Sequence, residues 1–225
     1  MKSLILLNGS PRGERSNSMK MMTRVAQGWE RAGAARPEIY HLARRADFDR
    51  AVDAFAGAGV VLLGMPLYTD AMPALVKFYI EALEEPLRLR PEAKPTLAFL
   101  VQSGFPEALH SRPLERYLEK LTRRLGASYA GTIVRGGGEA LQMMPDEANG
   151  ELWEELRTLG EQLAKDGRFG EAALRTVARF ERFPDQAAAD PFFKLMAATG
   201  YWDRQLKTNG AWERRCAAPY GPAAQ

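Results

Sequence analysis

The sequence predicts a doubly wound α/β protein with a five-stranded parallel sheet. Two observations carry the prediction. Apolar runs and helical patterns alternate five times within about 165 residues, the rhythm of βαβ units. Three of the runs, at residues 3–7, 59–64 and 97–101, are nearly continuous and rich in Leu, Ile and Val. Strands covered by helices on both faces read that way.

The first run enters a polar loop at residues 8–18. It holds Asn8, Gly9, Ser10, Pro11, Arg12, Gly13, Arg15, Ser16, Asn17 and Ser18. A helical pattern follows, with Met19, Met22, Val25, Ala26 and Trp29 at i, i+3, i+6, i+7 and i+10. Residues 37–42 are the second strand. A polar connection at 44–50 and a short helix at 49–56 come next. The third strand, 59–64, opens into a loop stiffened by Pro66 and Pro73, then a helix over 74–84 with Leu75, Phe78, Tyr79 and Leu83 on one face. Pro86 and Pro91 bracket a loop. The fourth strand, 94–101, leads into a loop at 102–107. The helix over 110–125 carries Leu114, Tyr117, Leu118 and Leu121 at helical spacing and stops at Gly126. The fifth strand, 129–134, is followed by Gly136, Gly137 and Gly138, then a helix over 151–165 closed by Gly167. There the rhythm breaks. Residues 171–183 and 192–198 read as helices, and the remainder is irregular and aromatic, with Tyr201, Trp202, Trp212 and Tyr220. The expected division is a domain at 1–167 and a C-terminal extension at 168–225.

Composition excludes several classes. Lys plus Arg number 31 and Asp plus Glu 28, a net charge of +3. That is too small, and the arginines too scattered, to argue for nucleic acid. The single Cys216 excludes an intrachain disulfide and an all-cysteine iron–sulfur cluster within one chain. His41 and His110 do not complete a metal site with it. No apolar run approaches the roughly 18 residues of a membrane span. The N-terminal strand pattern has no cleavable small-residue site. The expectation is a cytoplasmic protein with no metal, no nucleic-acid partner and no membrane insertion.

Strand, polar loop and helix N-terminus together favour an anion. A triphosphate loop needs Gly-x4-Gly-Lys-Ser/Thr, but Gly9 and Gly13 stand too close and no lysine follows. The dinucleotide fingerprint Gly-x-Gly-x-x-Gly is absent. The hydroxyls of Ser10, Ser16 and Ser18 and the amide of Asn17 suit a terminal monophosphate, with Arg12 or Arg15 adding a charge-assisted bond. The plain alternative is a solvated turn in which Ser16 or Asn17 caps the helix. In a doubly wound sheet, ligands sit beyond the carboxyl ends of the strands where the strand order reverses. That would gather the loops after the first, third and fourth strands. Tyr68 and Phe105 offer rings there, and Gly104 lets backbone approach a ligand. A planar heterocycle carrying a phosphate suits such a site.

The same residues carry a resemblance. Asn8, Gly9, Ser10, Pro11 and Arg12 with Ser16, Asn17 and Ser18 form one motif. Pro66, Leu67 and Tyr68 with Met72, Pro73, Ala74, Leu75, Val76 and Lys77 form another. Over residues 1–165 or so, the chain resembles the flavodoxin-like NAD(P)H-dependent FMN reductases, which include quinone and azo reductases. Residues 102–106 are similar to that family's third flavin loop. The resemblance implies a flavodoxin-like sheet of order 2-1-3-4-5. It implies Ser10, Arg12, Ser16, Asn17 and Ser18 on the FMN phosphate. Pro66, Leu67, Tyr68, Thr69, Ser103 and Gly104 would line the isoalloxazine ring. NADH or NADPH would be the co-substrate, and a quinone, an azo or nitro compound or free flavin the small-molecule electron acceptor. Iron–sulfur flavoproteins share the fold but carry a compact cysteine cluster, which this chain lacks. Residues 168–225 match nothing in the family.

The cofactor carries the hard chemistry in such enzymes, so no catalytic side chain is expected. Two other readings are a flavodoxin-type electron carrier and a flavodoxin-like protein without catalytic activity. The positive balance and the long extension argue against the first, the intact loops against the second. Family members commonly form homodimers, and the faces bearing Phe78 and Tyr79, and Leu114 and Leu118, are the expected isologous contact. The aromatic extension is expected to pack on the core or the partner subunit, with residues 201–212 beside the flavin. Tyr68 alternatively caps the core. His110, His41, Cys216 and the arginines at 112, 116, 123 and 124 read most simply as solvated or structural.

Overall fold

The computed structural model describes residues 3–179 and 181–217. Five parallel strands form one sheet in the order β2-β1-β3-β4-β5. They are β1 (Leu4–Asn8), β2 (Glu38–His41), β3 (Val60–Pro66), β4 (Thr96–Gln102) and β5 (Ser128–Arg135). The order reverses between β1 and β3, which pair directly from Leu4 opposite Val60 to Asn8 opposite Gly64. β1, β3 and β4 are buried along their whole length. Successive side chains point to opposite faces, so one apolar run supplies two cores. Leu4, Leu6, Val60, Leu62, Ala98 and Leu100 face α1 (Asn17–Arg31) and α7 (Gly150–Asp166). Ile5, Leu7, Val61, Leu63, Leu97 and Phe99 face α2 (Arg45–Phe55), α3 (Ala74–Ala82) and α5 (Arg112–Arg124).

α1 and α7 pack backbone to backbone through two glycines. A Cβ on Gly28 would lie 1.8 Å from the Arg157 carbonyl oxygen, and one on Gly160 would lie 1.9 Å from that of Val25. This crossing sets the position of α1, whose N-terminus reaches the carboxyl edge of the sheet. Gly126 and Gly167 follow α5 and α7 with φ of 67° and 70°, the left-handed conformation that ends a helix.

Several sequence expectations need correction. The loop expected around Pro86 contains a short helix, α4 (Glu84–Leu89), in which proline occupies a first-turn position where its missing N–H costs nothing. α2 begins at Arg45, inside the expected polar connection. A one-turn helix, α6 (Ala140–Met143), follows the glycine-rich loop after β5. The helix expected over 171–183 is α8 (Glu171–Ala178); Arg179 turns the chain with φ of 64°. Tyr79, Leu114 and Leu118 are buried in the core, because helical spacing turns them toward the sheet. They are therefore not available for a contact between subunits. Phe78 and Tyr117, beside them in sequence, are exposed.

The expected boundary at Gly167 also moves. The first compact unit runs through Arg182, and a second spans Phe183–Gln225. Phe169 and Val177 are buried with α7 and the sheet, and Ala178 packs on Ala108 and Val134. The Phe169 N–H donates to the Ala130 carbonyl at 2.9 Å, and Arg112 grips Glu181 through Nε and Nη2 at 2.9 and 2.8 Å. Removal of residues 183–225 is therefore expected to leave a folded sheet unit. Removal of 168–225 takes Phe169 and Val177 from the core, at roughly 1.5–3 kcal/mol for each large apolar side chain. Urea unfolding of the two truncated chains measures the difference, and equal midpoints would refute it.

The second unit contains α9 (Gln186–Ala198) and α10 (Tyr201–Thr208), joined at Gly200 with φ of 57°. Phe183, Phe192 and Phe193 cluster with ring centroids 5.4–6.4 Å apart. The Trp212 ring lies under Arg215 at 4.2 Å and Lys207 at 4.7 Å. Tyr220 lies outside the described residues. Among the described residues, no helix is long and apolar enough to cross a membrane, and no group of three or more His, Cys, Asp or Glu could hold a metal ion.

Candidate functional site

The loop after β1 is organised by a buried amide. Asn8 ends the strand with its side chain wholly inside. Its Nδ2 donates to the Gly13 carbonyl at 2.8 Å, and its Oδ1 accepts from the Ser10 N–H at 3.1 Å. The same Nδ2 lies 3.0 Å from His41 Nδ1. His41 is braced in turn by Asp47, which accepts from its backbone N–H at 3.2 Å. Burial and the nearby Arg44 push the His41 pKa down, so the ring is held neutral against Asn8. His41 is thus a structural support one shell behind the loop.

A 3-10 turn at Gly13–Arg15 then delivers the chain to α1. Ser16 is the N-cap: its Oγ accepts from the Met19 N–H at 3.1 Å and lies 3.4 Å from Asn8 Oδ1. The Asn17 and Ser18 N–H groups precede the first intrahelical bond, so they belong to the unpaired donors of the helix start. Both residues are buried. Asn17 Oδ1 and Ser18 Oγ have no hydrogen-bond partner among the described residues. No acidic residue stands in this first turn. Within the helix itself, therefore, no carboxylate offsets the dipole at its start.

The loops after β3 and β4 meet it. Pro66 pairs with Gln102, and the Leu67 N–H donates to the Gln102 carbonyl at 2.8 Å. Tyr68 and Ala71 exchange backbone bonds of 3.0 and 3.1 Å around Thr69 and Asp70, whose φ values are 45° and 64°. Two successive left-handed residues are uncommon, and a β-branched one is strained there. This tight turn leaves the Tyr68 ring 47% exposed beside the cleft. After β4, the Ser103 hydroxyl donates to the Phe105 carbonyl at 3.1 Å, and the Ser103 N–H donates to the Arg135 carbonyl at 3.0 Å. A Cβ on Gly104 would meet nothing within 4 Å, so this backbone lies open to a ligand.

These segments line one open cleft at the carboxyl edge of the sheet. Ser10, Arg12, Ser16, Asn17, Pro66, Leu67, Tyr68, Ser103 and Gly104 all border it. Ser18 is buried behind the loop and Thr69 lies in the turn beyond Tyr68; neither is a lining residue. Gln102 and Glu139 line it as well, and the sequence reading singled out neither as a binding residue. Gln102 reads as the first residue of the loop after the fourth strand, and Glu139 as the tail of a glycine loop. Only the pairing of β4 with β5 shows that both face the cleft.

The fold is flavodoxin-like. Solved structures with this architecture include an azoreductase from Bacillus anthracis (TM-score 0.54, 17% identity, covering 72% of this chain and 100% of that one). An NADPH-quinone reductase from P. pentosaceus (0.55, 15%, 74% and 99%) and the apo form of an NADH:FMN oxidoreductase (0.56, 16%, 83% and 98%) are also similar. A fourth, an FMN-dependent NADH-azoreductase of Bacillus anthracis in complex with FMN, has a TM-score of 0.53 at 14% identity and covers 73% of this chain and 100% of that one. No family model matches the sequence, and no curated protein matches it. At these identities the likeness is one of flavodoxin-like fold, and the structural neighbours are of the same kinds as the reductases that the two sequence motifs resemble.

Proposed function

We propose that this flavodoxin-like chain is an FMN-dependent NAD(P)H oxidoreductase. It passes reducing equivalents from NADH or NADPH to a small acceptor: a quinone, an azo or nitro compound, or free flavin. The carrying observation is the donor set at the start of α1: Ser10, Arg12, Ser16 and Asn17 line one open polar cleft at the strand-order reversal. The donor set fits a phosphate monoester: hydroxyls, an amide, helix-start N–H groups and the Arg12 guanidinium. The ring end fits as well, with Pro66, Leu67 and Tyr68 on one side and the open Gly104 backbone on the other. The flavin-binding neighbours support the reading.

Bound FMN would supply the hydride chemistry that no side chain of the cleft offers. The protein's part is positional. Asn8 holds the phosphate loop in shape from below. The constrained Tyr68 turn presents a ring that excludes water from the mouth. The hydroxyl of Ser103 is committed to Phe105, so that residue shapes the third loop rather than donating to the ligand. We place the protein in the cytoplasm, as a homodimer whose contact uses the exposed Phe78 and Tyr117 in place of the buried residues expected from sequence.

The absorbance spectrum of the purified protein, reconstituted with flavin, tests the reading. FMN is expected after acid release, and the spectrum is expected to bleach anaerobically with NADH or NADPH. FAD as the sole flavin, or no flavin retention, would refute the cofactor. Retained FMN that neither nicotinamide bleaches would favour the electron carrier.

A further inference from the structure

The proposed phosphate end of the cleft already faces a carboxylate. Glu139 Oε2 lies 3.6 Å from Arg12 Nη1 and 3.5 Å from Asn17 Nδ2, and Glu139 lines the cleft with Ser10 and Ser16. Arg12 Nη2 donates to Gln142 Oε1, within α6, at 2.7 Å. The two long polar donors of the loop are therefore both engaged by the segment that follows β5.

That segment has a fixed backbone. The Gly137 N–H donates to the Phe105 carbonyl and the Gly138 N–H to the Ser103 carbonyl, each at 2.7 Å. A Cβ on Gly138 would lie 2.1 Å from Gln102 Oε1. The Glu139 side chain, 38% exposed, projects from this backbone at the cleft. A phosphate at the start of α1 would need the same guanidinium and amide. Two anions cannot share them in a partly enclosed cleft without repulsion, which burial screens poorly.

We propose that Glu139 is an internal competitor for the anion site. With no ligand bound, its carboxylate takes the Arg12 guanidinium and the Asn17 amide; a phosphate monoester gains both only as the side chain swings outward. The inference rests on the phosphate-binding reading above. It makes the cleft selective by repulsion. A ligand must bring a strong multivalent anion together with a ring that packs on Tyr68, so small anions gain little there.

The test titrates the natural protein and Glu139→Gln with FMN and with riboflavin, which lacks the phosphate, following flavin fluorescence. Glutamine keeps the size and an acceptor oxygen but removes the charge. The natural protein is expected to prefer FMN. The variant is expected to bind FMN roughly tenfold more tightly, the direction that relief of a like-charge contact dictates. Its riboflavin affinity is expected to stay unchanged. Glu139→Ala is expected to move FMN binding the same way, and melting curves establish that both variants fold. A natural protein that prefers FMN, with both variants binding it no more tightly, would overturn the competitor role alone. Equal tightening for FMN and riboflavin would also overturn it, because the effect would not involve the phosphate. A natural protein that binds neither flavin, or both equally, would overturn the phosphate reading and the competitor with it.

Discussion

Gly160→Ala is expected to destabilise the protein by about 3 kcal/mol or more, at the upper end of what overpacking costs. On an exposed helix the same change would stabilise by about 1 kcal/mol, because alanine is the better helix former. The sign reverses here because the new Cβ would sit 1.9 Å from the Val25 carbonyl oxygen and 2.9 Å from the Trp29 nitrogen. Both are backbone atoms of α1, so no side-chain rotation relieves the clash. The helices must separate, and the buried contacts of Trp29, Leu156 and Leu159 loosen with them. The N-terminus of α1 would move too, so anion binding is expected to fall alongside stability. Gly150→Ala, at the start of the same helix where a Cβ would meet nothing within 4 Å, serves as the control. Urea unfolding of the two variants decides the matter: an unshifted midpoint for Gly160→Ala would mean that the crossing is not close-packed.

Asn17→Ala and Ser16→Ala are expected to fail in different ways, although adjacent and both buried beside the cleft. The Asn17 Oδ1 has no partner among the described residues, and its Nδ2 makes only a long bond to Glu139. Its removal is expected to leave the fold intact. It is expected to weaken FMN binding by roughly 1.5–3 kcal/mol, the range for a hydrogen bond to a charged group. The Ser16 hydroxyl is already committed as the N-cap and faces Asn8. Its loss is expected to cost about 1 kcal/mol of stability, with a smaller effect on the ligand. Melting temperature and FMN titration on both variants separate the roles. Equal flavin affinity in Asn17→Ala and the natural protein, with the fold intact, would remove Asn17 from the phosphate site.

The sheet was legible in the sequence because its signal is local. A parallel strand buried on both faces must be apolar along its length, and β1, β3 and β4 are. The break between strand and helix at residues 8–18 was equally plain, since hydroxyls and glycines leave no other local structure to form. The choice between cap and ligand for Ser16 was not legible. A serine at a helix start serves either purpose, and only the distance to the Met19 N–H decides it.

What tertiary structure alone decided are relations between distant parts of the chain. Gly28 and Gly160 look like ordinary helix glycines until α1 and α7 are crossed; then each is the space occupied by the other's backbone. Phe169 and Val177 fall after the last regular βα unit, so rhythm assigned them to an extension, whereas burial joins them to the sheet. Glu139 lies more than a hundred residues from Arg12, and no periodicity links them. The five residues expected around an anion, Ser10, Arg12, Ser16, Asn17 and Ser18, can be read along the chain. The carboxylate beside them cannot, because its position is set by β5 pairing beside β4, a pairing that depends on the whole sheet.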